Sequence, residues 1–317
     1  MTAAVAPALP EWVRDIRPDQ RDACYAICDR FDDGNDVVFL EGPTGTGKTL
    51  IAELVRRQLD VAKTLYVCSS IALQTQFVRD FPYAALIKAA DNYSTMHATW
   101  PTFTCGDCDS EKVDGQEQCS WCEPVDMCPY RQARAEAVRS PLTVTNTAYA
   151  LHEWNHVGRL AGRDLVVIDE CDTLEQTLMG YVEFRVPGRT LVSLRLTPPP
   201  PKSRKTTIVG WLGGELLPTV QRALSALASE RLGHEKLRWR KRLLLLRDDT
   251  RRVITNFDPD LWVRDTSAKL ALKPVQVAPY GPDVVWRHGT QFLLMSATVV
   301  SADQMAHDLG IDAAGVS

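Results

Sequence analysis

Val37-Val38-Phe39-Leu40 leads through Glu41 into Gly42-Pro43-Thr44-Gly45-Thr46-Gly47-Lys48-Thr49, and then into Leu50-Ile51-Ala52-Glu53-Leu54-Val55-Arg56. The first run is apolar and of strand length, and the last has its apolar residues at helical spacing. Between them lies G-x-x-x-x-G-K-[ST], in the strand-to-helix setting that a phosphate-binding loop requires. Glycines let successive backbone N–H groups turn toward a polyphosphate, and the new helix points its positive end at the same place. Lys48 is placed to reach the β- and γ-phosphates, and the Thr49 hydroxyl to ligate Mg²⁺. Asp36–Asp60 therefore reads as a nucleotide-binding site, around which the chain is organised.

The chain has 317 residues, 45% hydrophobic and 24% charged, which is an ordinary globular composition with room for about two domains. Its net charge of -4 offers no global attraction to nucleic acid, so polyanion binding needs local basic patches. Met1–Pro10 is rich in Ala and Pro without a basic region and is not expected to be a secretory signal. No apolar run reaches the ~18 residues of a membrane span. A cytoplasmic, reducing setting is expected. Five of the nine cysteines, Cys105, Cys108, Cys119, Cys122 and Cys128, crowd into one stretch, which in such a setting points to metal rather than disulfides.

Upstream, Arg17-Pro18-Asp19-Gln20 opens a helix with Ala23, Ile27 and Phe31 at helical spacing, and Cys24 and Cys28 read as core residues. Downstream, Thr64-Leu65-Tyr66-Val67-Cys68 is a second buried strand, followed by a helix carrying Leu73, Gln74, Gln76 and Phe77. Strand, helix, strand, helix at this spacing indicates a parallel doubly wound sheet that binds ligands at the carboxyl ends of its strands. Leu142-Thr143-Val144-Thr145 is a further strand. Leu165-Val166-Val167-Ile168 ends in Asp169-Glu170-Cys171-Asp172. An apolar strand closed by adjacent carboxylates is the Walker B arrangement: Asp169 holds Mg²⁺ and Glu170 polarises the attacking water. Gln291–Met295 is another apolar strand, followed by Ser296-Ala297-Thr298.

Two segments interrupt this pattern. Asp91–Tyr130 is rich in Cys, Asp, Gly and Pro and looks like an insertion held by something other than a hydrophobic core. Cys105-x2-Cys108 with Cys119-x2-Cys122 fits a zinc ribbon, whereas Cys105, Cys119, Cys122 and Cys128, ending in Cys128-Pro129, fit an iron–sulfur run. Spacing fits both. The second segment, Tyr181–Gly289, contains a proline run, Pro198–Pro201, that leads into a helical region, with Leu216, Val220, Ala223, Leu224 and Leu227 marking its first helix. Arg231–Arg252 carries nine Lys/Arg against three acidic residues, with Trp239 among them. It reads equally as a solvated helix face with a core stripe at Leu243–Leu246, or as a phosphate-tracking surface with an aromatic for base stacking.

In order, these segments resemble the XPD/DinG family of superfamily 2 DNA helicases, over essentially the whole chain. Arg17…Gln20 is similar to the Q-type motif, whose Gln reads adenine; Gly42–Thr49 to motif I; Ser69–Gln76 to motif Ia, which contacts DNA. Ala89–Tyr93 with the cysteine insertion stands in the place of the iron–sulfur domain. Cys128-Pro129-Tyr130 and Val144–Tyr149 are similar to the family's segments on the carboxyl side of that domain. Asp169–Asp172 looks like motif II, Ser296-Ala297-Thr298 like motif III, and Tyr181–Gly289 like the arch domain. The resemblance implies a RecA-like P-loop NTPase parallel sheet with a small cysteine-rich metal insertion and a mainly helical arch insertion. The implied division is 1–90, 136–180 and 290–317 as one motor domain, 91–135 as the iron–sulfur insertion and 181–289 as the arch.

The resemblance further implies ATP and Mg²⁺ bound by Arg17, Gln20, Gly42, Thr44, Gly45, Thr46, Gly47, Lys48 and Thr49, with Lys48, Asp169 and Glu170 catalytic and Thr49 and Asp169 on the metal. It implies a 4Fe–4S cluster on Cys105, Cys119, Cys122 and Cys128, with Cys108 the other choice of first ligand because Asn92-Tyr93 is followed by Ser94-Thr95. Zinc is the alternative metal. The activity implied is ATP-driven 5′→3′ movement on single-stranded or forked DNA. Two departures stand out. The family's motif II commonly ends in His where this chain has Asp172, so coupling of hydrolysis to movement is expected to differ. Nineteen residues after Thr298 are too few for a second motor domain of about 50–250 residues. A second motor domain in trans or in a longer parent chain is therefore expected, and an arginine finger supplied that way is worth ~10³–10⁵ in rate. The competing readings are a non-unwinding, ATP-gated nucleic-acid-binding module and a small-molecule kinase with a zinc ribbon.

Overall fold

A computed structural model describes residues 9–95, 103–108, 110–113, 116–119, 127–228, 234–265, 269–299, 301–312 and 315–316, with the backbone alone at 110–113, 116–119, 228 and 234. The chain forms two compact units. One comprises Met1–Gly106, Cys122–Leu178 and Val277–Ser317, and the other Asp107–Trp121 and Met179–Gln276.

The first unit is built on six parallel strands: β1 (Val37–Glu41), β2 (Thr64–Cys68), β3 (Ala85–Leu86), β4 (Leu142–Asn146), β5 (Arg163–Asp169) and β6 (Gly289–Ser296). Their order across the sheet is β1-β6-β5-β2-β4-β3. The β-branched and aromatic runs of β1, β2 and β5 suit a sheet covered on both faces. Val38, Tyr66, Cys68, Val167 and Met295 pack on one face with helices α1 (Pro18–Asp32) and α2 (Lys48–Gln58), through Ile27, Phe31, Ile51 and Val55. The alternate residues Leu65, Val67, Val166, Ile168 and Leu294 are buried too. Each such side chain stabilises the fold by about 1.5–3 kcal/mol relative to exposure. Thr143 and Thr145, polar residues in buried β4, donate their hydroxyls to the Ala137 and Ile87 carbonyls at 2.6 and 2.9 Å, so the strand carries no unpaired hydroxyl at either.

Local chemistry sets the helix starts. Gln20 is the third residue of α1, and its side chain accepts the Arg17 N–H at 3.2 Å. Ser70 caps helix α3 (Ile71–Asp80), and Asn146 caps the helix Thr147–His156 by accepting the Tyr149 N–H at 2.8 Å. Helix α2 is fixed along its length by Glu53, which is buried and accepts from Arg56, Arg57 and the Tyr83 hydroxyl at 2.7, 2.6 and 2.8 Å. The expected helices and strands are present, and the structure adds β3 and the helix Ala302–Leu309.

The second unit carries the helices Lys205–Trp211, Leu217–Ala228 and His234–Asn256 around Ile208, Leu212, Leu216, Val220, Leu243 and Val253. A π-helical turn at Leu212–Leu216, which contains Gly213 and Gly214, joins the first two. It also has a feature with no periodic signal: a three-stranded antiparallel sheet in the order Phe184–Arg185, Ala271–Pro274, Trp262–Arg264. Strands of two to four residues are too short to show alternation. Ser110–Val113 and Gln116–Cys119 pair as an antiparallel hairpin. The long helix buries Leu237, Leu243, Leu246, Thr250 and Val253 and exposes Leu245, which locates the core stripe. Arg238, Arg247 and Arg252 are held by Asp107, Asp248 and Asp249, with Arg238 Nη2 2.9 Å from Asp107 Oδ2.

Candidate nucleotide site

Three chain segments far apart in sequence end side by side. Leu40 of β1 pairs with Met295 of β6, and Met295 pairs with Asp169 of β5, so the carboxyl ends of the three strands are level. The first loop residue, Gly42, donates its N–H to the Ser296 carbonyl at 3.1 Å. The glycine-rich turn, the paired carboxylates and the Ser-Ala-Thr step therefore share one edge of one sheet, where parallel sheets bind ligands.

Gly45 and Gly47 have φ of 88° and 83°, the left-handed region that glycine adopts without steric cost. A Cβ on Gly47 would also run into the Gln20 amide nitrogen. Gly47→Ala is expected to cost about 1–2 kcal/mol for the left-handed backbone alone, and to push Gln20 aside. Urea unfolding of that variant at wild-type stability would remove the steric argument. Thr44 is exposed on the turn, and the Thr46 hydroxyl donates to the Pro43 carbonyl at 2.8 Å. The Thr46 carbonyl accepts from the Arg17 guanidinium and from Gln20 Nε2, the latter at 3.0 Å. Arg17 and Gln20 thus meet the loop as a pair, with the Gln20 amide spent on loop backbone. Lys48, the first residue of α2, is half-buried and donates Nζ to the Gly42 carbonyl at 2.7 Å.

At the end of β5, Asp169 Oδ2 accepts from the Tyr66 hydroxyl at 3.0 Å, and Oδ1 accepts the Glu170 N–H at 3.1 Å. Burial pushes the Asp169 carboxyl above the ordinary range, against the pull of Tyr66, the Glu170 N–H and the Lys48 charge. Glu170 is raised by burial and then by the Asp169 and Asp172 carboxylates. Its φ of 55° is left-handed, a strained backbone for a residue with a side chain. Asp172 Oδ1 accepts from the Ser296 hydroxyl at 2.9 Å, joining the acidic run after β5 to the Ser-Ala-Thr step at the end of β6. Thr49 and Asp169 could supply the hard oxygen donors that Mg²⁺ takes.

Sequence reasoning did not single out Tyr66 or the Ser296–Asp172 contact. A hydroxyl in the otherwise apolar run of β2 was the available signal. Two residues of the segment expected to contact DNA are withdrawn from the surface: Gln74 is fully buried, its amide 3.4 Å from the Ile87 carbonyl, and Leu73 is half-buried. Ser69, Ser70, Ile71, Thr75 and Gln76 are exposed. In the cysteine-rich segment Cys105 and Cys128 are buried with their sulfurs 3.8 Å apart. Cys108 is buried as well. The Cys119 side chain and all of Cys122 lie outside the described residues. Among the described residues no three metal-ligating side chains gather, and no helix is long and apolar enough to cross a membrane.

The family model described as "Type III restriction enzyme, res subunit" matches residues 14–177. No curated protein matches. Among solved structures, one named XPD helicase is 16% identical with a TM-score of 0.58, over 94% of this chain and 61% of its own. A truncated XPD is 17% identical with a TM-score of 0.50, over 94% of this chain and 98% of its own. At such identities the likeness concerns the fold. The chain spans 61% of the length of the XPD helicase it matches. With half its length matched by that model, the chain belongs to the family of the type III restriction enzyme res subunit, the superfamily 2 helicase motor, and has an XPD-helicase-like fold.

Proposed function

We propose that this chain is the ATP-binding half of a DNA helicase motor of the XPD/DinG kind, coupling ATP hydrolysis to 5′→3′ movement on single-stranded DNA. The observation that carries it is the convergence of Lys48, Asp169, Glu170 and Ser296 at one edge of the parallel sheet. ATP would lie along Gly42–Thr49, with Lys48 on its terminal phosphates and Arg17 and Gln20 beside the base. Thr49 and Asp169 would hold Mg²⁺, which supplies charge neutralisation on the transferring phosphoryl group. Glu170 orients the attacking water. The Ser296–Asp172 hydrogen bond is the link through which the state of motif II reaches the strand end at motif III. The likeness to a longer XPD helicase supports a second motor domain, from another chain or a longer parent, completing the ATP site. Residues 91–135 are read as the iron–sulfur insertion and 181–289 as the arch, with single-stranded or forked DNA as the partner.

The deciding measurement is ATP binding and steady-state ATPase, with and without single-stranded DNA. Tight Mg²⁺-ATP binding with slow turnover, raised on adding a second motor domain, is expected. Failure to bind ATP would overturn the reading. Forks tailed on the 5′ or 3′ side then test the direction of movement.

The buried Cys105–Cys128 pair supports a thiolate metal centre that includes Cys128. When bound, the metal group serves as a structural clamp on the loop. The pair's 3.8 Å separation also favours a second reading. Two thiolates on one tetrahedral zinc at ~2.3 Å stand ~3.8 Å apart, whereas thiolates on separate irons of a cluster stand farther apart. Cys128→Ser is expected to lose the bound metal and leave the sheet folded. Four irons with labile sulfide per chain support the cluster, and one zinc supports the ribbon. Full metal retention in Cys128→Ser removes Cys128 from the ligand set.

A further inference from the structure

Tyr66 is the unexplained residue of the site. It is buried in β2, its ring packed against Phe77 at a tilt of 40° with centroids 4.2 Å apart. A phenylalanine would fill that space without the cost of burying a hydroxyl, which takes on the order of 1–3 kcal/mol unless it is hydrogen-bonded. The hydroxyl donates to Asp169 Oδ2 at 3.0 Å, at the end of β5. The register places Tyr66 opposite Val167, two residues before Asp169 and on the same face of the sheet.

We propose that Tyr66 is a positioning residue for the divalent cation: its hydroxyl holds the Asp169 carboxylate and aims its remaining lone pairs at the metal. An Asp169 that receives one hydrogen at Oδ2 and one at Oδ1 is locked in rotation, with a lone pair left on each oxygen. Outer partners of this kind orient metal ligands, and their loss typically costs 10–100-fold in metal affinity. The inference rests on the proposed role of Asp169.

Tyr66→Phe keeps the ring and removes the hydroxyl. Mn²⁺ binding, followed by electron paramagnetic resonance in the presence of a non-hydrolysable ATP analogue, is expected to weaken about tenfold or more in this variant. Analogue affinity measured in chelator, and the melting temperature, are expected to stay at wild-type values. Phe77→Leu serves as the packing control, since it disturbs the ring's neighbour and leaves the hydroxyl, and it is expected to keep Mn²⁺ affinity. Mn²⁺ affinity within twofold of wild type in Tyr66→Phe overturns the inference, as does an equal loss in Phe77→Leu. Wild-type protein that binds the analogue no better than Lys48→Ala overturns the nucleotide-site reading itself, and this inference with it.

Discussion

Replacing Lys48 by alanine is expected to lower ATP turnover by on the order of 10²–10³-fold, the loss typical of removing one preorganised charge donor from a transition state. Lys48 opens α2 where the helix dipole already favours a polyphosphate, and its ammonium rests 2.7 Å from the Gly42 carbonyl. To reach a phosphate it exchanges that one hydrogen bond for a charge-assisted contact, which is roughly twice as strong. The same ammonium pulls the Asp169 and Glu170 carboxyls down. Its removal therefore weakens both partners' ionisation as well as phosphate binding. No core contact is lost, because the helix is anchored further along by Ile51, Val55 and the Glu53 cluster. Melting is expected to stay close to wild type while fluorescent-ATP binding and turnover collapse. Turnover equal to wild type would remove the phosphate-loop assignment.

Glu170→Gln is expected to separate binding from chemistry. Removing a positioned general base costs typically 10²–10⁴ in rate, while Lys48, Thr49 and Asp169 remain to hold Mg²⁺-ATP. The environment also predicts a pH dependence. Burial, then the Asp169 and Asp172 carboxylates, raise the Glu170 pKa, so the base is lost on acidification at a higher pH than an ordinary carboxylate near ~4.3. The acid limb of the ATPase profile should lie correspondingly high. Asp172→Asn removes one like charge, makes ionisation of Glu170 easier, and should move that limb to lower pH. A limb that stays in place in Asp172→Asn and persists in Glu170→Gln assigns the titration to another group. Glu170 holds a left-handed backbone at φ 55°, a strain that persists here at the mouth of the site.

Much of this was legible in the chain because the signals are local. A hydrophobic run of four or five residues, a glycine pair, and a lysine at the start of a helical period sit within twenty residues of one another. The backbone geometry they require, left-handed φ at Gly45 and Gly47, is a property of those residues alone. The capping role of Gln20 toward Arg17 is local in the same sense. Motif Ia was only half legible: its residues form the expected helix, yet which of them face outward depends on what α3 packs against. Gln74 turned inward against Ile87, and Gln76 outward. The small sheet of the second unit escaped because three short strands carry no measurable period and pair residues such as Arg185 and Ala271 from opposite ends of the segment.

The sequence by itself determined the pieces of the proposed site: a glycine-rich loop of phosphate-binding pattern, two adjacent carboxylates closing an apolar strand, and a thiol-rich insertion. Tertiary structure alone decided how those pieces meet. Tyr66 reaches Asp169 across 103 residues of chain and Ser296 reaches Asp172 across 124. Both contacts arise from strand order and register, which place β6 between β1 and β5 and Tyr66 on the face it shares with Asp169. A one-residue slip in that register would turn Tyr66 to the opposite face. Order and register come from packing the whole sheet between its helices, a non-local balance that no short stretch of sequence encodes.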